Sequence, residues 1–483
     1  MPIRPRRTGA FAAAGVVAFG ALAVVFGNQA DAQQPALAPQ PALDQLLGNE
    51  QQGPAALGLV QSRLTEIAAK NKLTAEHLRQ ILSTDNTAWL DQGGRLFYRE
   101  PVATVPERKA DAGASPRWAT SAVTAATGPV FELHSKPGSN RVIYLDFTGH
   151  TITGTAWNQS PRPATVNITP YDTDGDPSSF STAEQDVVHD VWARVAEDYA
   201  PFDVDVTTQE PAAAAIDRSS ASDQQYGTRV VIDPTTWYQS SCGCGGVAYV
   251  GVYDNSSQHA YYQPALVFTK GVGTGAKNLA EAASHEAGHN VGLSHDGTST
   301  VGYYQGHGAW APIMGVGYYR GISQWSKGEY ADANNKEDDY AVVGTHGLAL
   351  RGDEAGDTTA TAAALTVGTP ASGIIAGESD TDVYRVNVTT ARTYTATANP
   401  AAVGGDLDIK LDLLNNSGAV VASNDPASGQ SDAATPTGLG ATISTSLQAG
   451  TYYLRIDNVG YGNPLNTGYS TYGSRGAYTV SIS

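Results

Sequence analysis

"SHEAGHNVGLSHDG", residues 284–297, holds three histidines and one glutamate, in a chain of 483 residues with only ten histidines. His285 and His289 stand at i and i+4 of a helical pattern, so both imidazoles leave one face about a turn apart. That spacing brings two nitrogen donors onto one zinc ion. Glu286 lies beside them without ligating, where its carboxylate serves as general base and then acid toward a water nucleophile. Gly292 allows a left-handed conformation that ends the helix and turns His295 toward the same point. Three neutral histidines leave a fourth position for water, the mark of a catalytic rather than a structural zinc site. Frequency arithmetic puts a chance occurrence of the whole pattern on the order of 10⁻⁵, which disfavours exposed helix histidines.

Around this motif the text alternates strands and helices. "RVIYLDF" (141–147), "VDVTT", "TRVVIDP" and "GGVAYVGVY" read as strands. "TAEQDVVHDVWARVAEDYAPF" (182–202) is a long amphipathic helix that follows a Ser/Thr cap and stops before Pro201. "NLAEAASHEAGHNVGL" is the helix that carries the motif. The expected fold over 131–350 is α/β, a mixed sheet flanked by helices. His189 on the long helix and His307 near Met314 are expected to pack or face solvent.

Apart from Met1, the only methionine is Met314, in "WAPIMGVGYYR", nineteen residues beyond His295. A lone methionine in a glycine-bounded turn after the third histidine resembles the Met-turn of metzincin metallopeptidases. "HEAGHNVGLSHD" resembles the H-E-x-x-H-N-x-G-x-x-H-D form of reprolysin-like (adamalysin-type) metzincins, down to Asn290 and Asp296. The resemblance implies a zinc endopeptidase with Met314 as a hydrophobic floor under the metal and an edge strand that aligns extended substrate. "YQPALVF" (262–268) is the candidate for that strand, with β-strand addition as the mode of recognition. Asp296 is expected to make a structural contact at the turn. Some metzincins place a metal-binding tyrosine two residues after the methionine. Val316 stands there in this chain, which leaves Tyr318 and Tyr319 as candidates for a substrate or transition-state contact. No cysteine lies in the stretch that precedes the catalytic region, residues 33–130, so a cysteine switch is impossible, and any latency must use a carboxylate or simple occlusion.

The chain opens with Arg4, Arg6 and Arg7, an apolar run from Phe11 to Phe26, and Ala30-Asp31-Ala32. These read as a signal peptide over 1–32 and imply a secreted, extracellular product. Residues 33–130 combine a proline-alanine linker, two short helices broken near Asn71-Lys72 and two short strands around Gly93-Gly94. They read as a helical pro-segment, trimmed between about Ala110 and Val130, with an ordinary N-terminal domain as the alternative. Cys242 and Cys244, the only cysteines, meet an oxidising environment and are expected to pair, with free thiols in a turn as the alternative.

Beyond Arg351 the helices stop and turn-separated strands predict an independent β-sandwich over 351–483. "GESDTDVYRVNV", "LDIKLDLLNNSGAVVASNDP" and "AGTYYLRIDNVGYG" resemble a bacterial pre-peptidase C-terminal (PPC) domain. The resemblance implies a helper in export, attachment to a cell-surface or matrix polymer, or substrate binding. Asp380, Asp382, Asp406 and Asp408 offer oxygen donors for Ca²⁺, although solvated turns are the favoured reading. "YDTDGDPSSF" (171–180) has its glycine at the wrong place for an EF-hand and reads as a turn. The net charge of −18 argues against nucleic acid and anionic membrane as partners, and after the leader no stretch is long enough for membrane insertion. The resulting expectation is a metzincin-type zinc metalloendopeptidase acting on polypeptide. A zinc amidase acting on cell-wall or other non-peptide amides and a catalytically inert binding or adhesion protein are the alternatives.

Overall fold

The computed structural model describes residues 42–102 and 129–483. The expected leader and nearly all of the expected trimming region lie outside the described residues.

The N-terminal piece has the break and the hairpin its sequence pattern predicts, but three α-helices between Gly53 and Thr84 in place of the two helices expected. Gln51–Gln52 (β1) leads into α1 (Gly53–Val60), α2 (Leu64–Lys70) and α3 (Ala75–Thr84), and the chain then turns back through β2 (Ala88–Leu90) and β3 (Leu96–Pro101). The break between α2 and α3 falls at Asn71-Lys72, where Lys72 takes a positive φ of 59°. Asn71 donates to the Gly94 carbonyl at 2.9 Å and accepts from the Leu96 N–H at 2.8 Å, fastening the helices to the hairpin. Leu64, Ile67, Leu78, Leu82, Leu90 and Leu96 fill a small core of their own, closed by Val250.

The central strands are β4 (Arg141–Asp146), β5 (Asp205–Thr207), β6 (Tyr226–Asp233), β7 (Cys244–Tyr249) and β8 (Ala265–Phe268). With β1–β3 they form one eight-stranded sheet in the order β1-β2-β3-β7-β8-β6-β4-β5. The strands β5, β4, β6 and β8 run parallel, β7 runs antiparallel to β8, and β3 antiparallel to β7. The stretch 262–268 is therefore not an edge. All four residues of β8 are buried, and the strand is paired on both sides, with β6 and with β7. An all-apolar run is what a doubly covered strand requires. The outer strand of the 141–318 region is β7, and β3 lies along its free side.

Two helices pack on the sheet and on each other. α4 (Thr182–Asp198) opens with Ser181 and Glu184 in a reciprocal capping box, worth about 1 kcal/mol. α5 (Ala276–Asn290) carries the histidine motif and is buried over most of its length.

Residues 363–482 supply two sheets of five and four strands, packed over a core that includes Ile375, Val386, Leu411, Leu454 and Val480. This sandwich is not independent of the rest, and residues 42–483 form one compact unit. Glu197 of α4 is buried and accepts from the backbone N–H groups of Ala477 (3.2 Å) and Asp406 (3.5 Å) of the sandwich. Arg475 lies 3.6 Å over the Tyr340 ring, and the Tyr472 hydroxyl donates to Asp338 at 2.7 Å. Among the described residues, no helix is long and apolar enough to cross a membrane.

Candidate metal centre

His285 and His289 project from α5 toward the sheet, and His295 comes back to meet them. Helix α5 ends at Asn290, and Gly292 takes a φ of 100°, the conformation a side chain resists. Asn290 donates to the Tyr249 carbonyl at 2.9 Å and accepts from Thr228, tying the helix end to β7 and β6.

Each imidazole is oriented through Nδ1. That atom of His285 donates to the Ile313 carbonyl at 2.8 Å, and that of His289 to the Leu293 carbonyl at 2.8 Å. His295 Nδ1 donates to Asp85 Oδ2 at 2.7 Å, with Thr87 Oγ1 3.0 Å away. Carbonyls and carboxylates only accept, so the protons sit on Nδ1 and the three Nε2 atoms are left to converge. His289 Nε2 and His295 Nε2 are 3.2 Å apart, and all three rings are buried.

A fourth group completes the cluster. Glu100, on β3, places Oε1 2.8 Å from His295 Nε2 and 3.2 Å from His289 Nε2, and Oε2 3.5 Å from His285 Nε2. Donor atoms from Glu100, His285, His289 and His295 all lie within 4.8 Å of one another. His285 Nε2 and Glu100 Oε2 are buried with no hydrogen-bond partner. A buried nitrogen lone pair and a buried carboxylate oxygen left unpaired are costly, and a divalent cation among these donors satisfies both. The donor set fits zinc. Without a cation, burial and the neighbouring imidazoles push His289 down to about 4. His295 is held at about 10 because Glu100 and Asp85 outweigh its burial.

Glu286, next to His285 on α5, is fully buried, with neither carboxylate oxygen hydrogen-bonded. Burial first, and the Glu100 charge second, push its carboxyl well above the usual range. Its side chain lies where a Cβ on Gly246 would stand, so β7 needs glycine beside this carboxylate. Met314 is fully buried under α5, and a Cβ at Gly288 would fall 2.6 Å from its sulfur. The Met314 carbonyl accepts from the Asp296 N–H at 2.8 Å, while Tyr330 donates to the Asp296 carboxylate at 3.2 Å. Asp296 thus contacts the turn. Cys242 and Cys244 are disulfide-bonded, at the start of β7.

Tyr318 is a buried member of the main core within the electrostatic reach of Glu100 and Glu286, and Tyr319 packs against the same core. Sequence reasoning missed four further groups at the site. These are Glu100, Asp85 and two rings, Tyr303 beside His285 and His295 (5.4 and 5.0 Å) and Tyr98 against His289 and His295 (4.4 and 4.1 Å). His189 packs on Trp192, and His307 bonds Tyr304 and the Gly468 carbonyl.

The aspartates considered for calcium do not form one group. Asp380 and Asp382 gather with Asp353, whereas Asp408 bonds Ser428 and Tyr469, and Asp406 faces Asp198 and Glu197. Asp172, Asp174 and Asp176 accept local N–H groups in a turn that leads into α4.

Residues 141–318 match the family model described as metallo-peptidase family M12, and residues 380–458 match the bacterial pre-peptidase C-terminal domain. The chain thus contains a metallopeptidase domain followed by a β-rich PPC domain. Among solved structures, the pre-peptidase C-terminal domain of a collagenase from Bacillus anthracis is 19% identical over 28% of this chain and 98% of its own, at a TM-score of 0.19. The periplasmic lysozyme inhibitor PliG of Aeromonas hydrophila is 14% identical over 25% of this chain and 98% of its own, at a TM-score of 0.16. No curated protein matches the chain significantly.

Proposed function

We propose that the metallopeptidase domain is a secreted zinc endopeptidase of metzincin type, made as a latent precursor of signal peptide (1–32), pro-segment (33–130), catalytic domain (131–350) and PPC-like sandwich (351–483). The observation that carries this reading is the convergence of three buried Nε2 atoms beside a buried, unpartnered glutamate. His285, His289 and His295 would hold the metal. When bound, zinc polarises a carbonyl and acidifies water at neutral pH. Glu286 takes the proton of the attacking water and returns it to the leaving amine nitrogen, a role worth about 10²–10⁴ in rate. Ile313 and Leu293, through their carbonyls, keep two imidazoles in the ligating tautomer. Met314 lines the floor, and Tyr318 offers a hydroxyl near the reacting carbonyl.

β7 orients the substrate. With β3 gone, its free N–H and C=O groups pair with an extended peptide by strand addition. A groove bounded by a strand edge suits polypeptide better than a cell-wall amide, which lacks a regular backbone ladder. The unpartnered Glu286 oxygens favour an enzyme over an inert binding module. Glu100 supplies the latency. It fills the place among the histidines that water needs, so the inhibitory group is a carboxylate.

The test is digestion of a casein-like protein by metal-loaded, processed chain with a chelator control. Glu286→Ala is expected to keep about one zinc per chain and to lose at least 100-fold in cleavage. Undiminished cleavage removes Glu286 from the mechanism, and a metal-free, chelator-insensitive protease overturns the reading.

A further inference from the structure

Phe97 belongs by sequence to the N-terminal piece and by packing to the metallopeptidase domain. Its ring is fully buried in an apolar cluster whose other buried members all come from residues 152–268. It meets Trp157 edge-on at 5.9 Å and Tyr249 at 5.3 Å. Trp157 is fixed by its own N–H, which donates to the Pro264 carbonyl at 2.8 Å, and Tyr262 packs behind Tyr249 at 4.8 Å. The walls of this recess are thus held within the catalytic region, and β3 contributes the plug. The Tyr249 hydroxyl is buried with no hydrogen-bond partner.

The register gives the plug its meaning. β3 runs antiparallel to β7 with Phe97 opposite Tyr249 and Arg99 opposite Val247, and a bulge between Arg99 and Pro101 follows. The bulge swings Glu100 out of the ladder and into the histidines. An extended segment therefore lies along the edge strand with a carboxylate at the reacting position and an aromatic side chain, three residues earlier, in a ready-made recess.

We propose that the recess walled by Trp157 and Tyr249 is a specificity pocket. Once β3 has left, it takes an aromatic side chain of an extended polypeptide substrate. That side chain stands two or three residues before the residue whose carbonyl is attacked, because the bulge leaves both registers open. The inference rests on the endopeptidase reading above and adds its substrate class. Burial of one aromatic ring predicts discrimination on the order of 30-fold.

Two measurements test it on the full chain, zinc-loaded and nicked between residues 103 and 128 so that β3 is free to leave. Digestion of a random peptide library is expected to enrich Phe, Tyr and Trp at one of those two positions. Active hydrolysis with no aromatic enrichment there overturns the pocket. Binding of the peptide Gly94–Val102 and of its Phe97→Ala analogue, followed by calorimetry, reads the pocket without catalysis. The alanine peptide is expected to bind about 30-fold more weakly, and equal affinity overturns the proposal. Retained discrimination without hydrolysis supports the pocket and counts against the endopeptidase reading alone.

Discussion

The seam between β3 and β7 and the seam between α4 and the β-sandwich both bury carboxylates, whose proton affinities are shifted in opposite directions. At the first, burial opposes ionisation, yet the imidazoles of His295 and His285 hold Glu100 well below the usual carboxylate range. At the second, burial dominates: Glu197 is pushed up to about 8 and Asp198 to about 7, and Asp406 rises with them. An ionised carboxylate among metal ligands is held by partners that another ligand can take over. A neutral carboxyl fastened to backbone N–H groups has no such competitor. On the proposed latency, the first seam is the one to be exchanged and the second the one to stay.

The largest effect that would break this contrast is at Glu100. Glu100→Ala in the unprocessed chain is expected to raise basal peptide hydrolysis about 100-fold, because removing one partner of a buried charged cluster costs about 3 kcal/mol. Unchanged latency would leave occlusion by β3 as the whole inhibitory device. Next in size, Gly246→Ala is expected to displace Glu286 and to lower kcat of the processed enzyme at least tenfold. The zinc content is expected to stay unchanged, read by metal analysis beside kinetics.

On the permanent side, Arg475→Ala removes a buried guanidinium stacked on Tyr340 and bonded to the Tyr472 and Ala376 carbonyls. A loss of about 2 kcal/mol in thermal stability with unaltered latency is expected. Altered latency would mean that the two seams communicate. The smallest effect is in pH. The Glu197 value is raised on folding, so its contribution is complete below its unfolded value and fades as pH rises toward about 8. Between pH 5 and 8.5 the wild-type Tm is expected to fall by about 2 °C more than that of Glu197→Gln, on the order of 2 kcal/mol. Parallel curves would show that Glu197 is already ionised.

The histidine helix, the α4 cap and the central strands were legible because each is announced locally, by i,i+4 spacing, by Ser181 with Glu184, or by apolar runs. Gly292 was readable because only one residue type accepts that backbone geometry cheaply. Glu100 was not, since "LFYREP" is an ordinary strand and its meaning depends on partners 185 and more residues away. The edge strand was misassigned for a related reason. Proximity to the histidine helix favoured 262–268, while the all-buried "ALVF" already spoke for an interior strand. The paired glycines of "CGGVAY" were the better signal, because a missing side chain marks where another group must come close.

Release of β3 has a price for the fold itself. It uncovers the outer backbone ladder of β7 and empties the recess beside it, leaving a sticky sheet border of the kind that recruits neighbouring molecules. While it is paired, β3 covers that border. On the proposed maturation, an unoccupied border would favour self-association, and a strand of substrate or severed propeptide would suppress it.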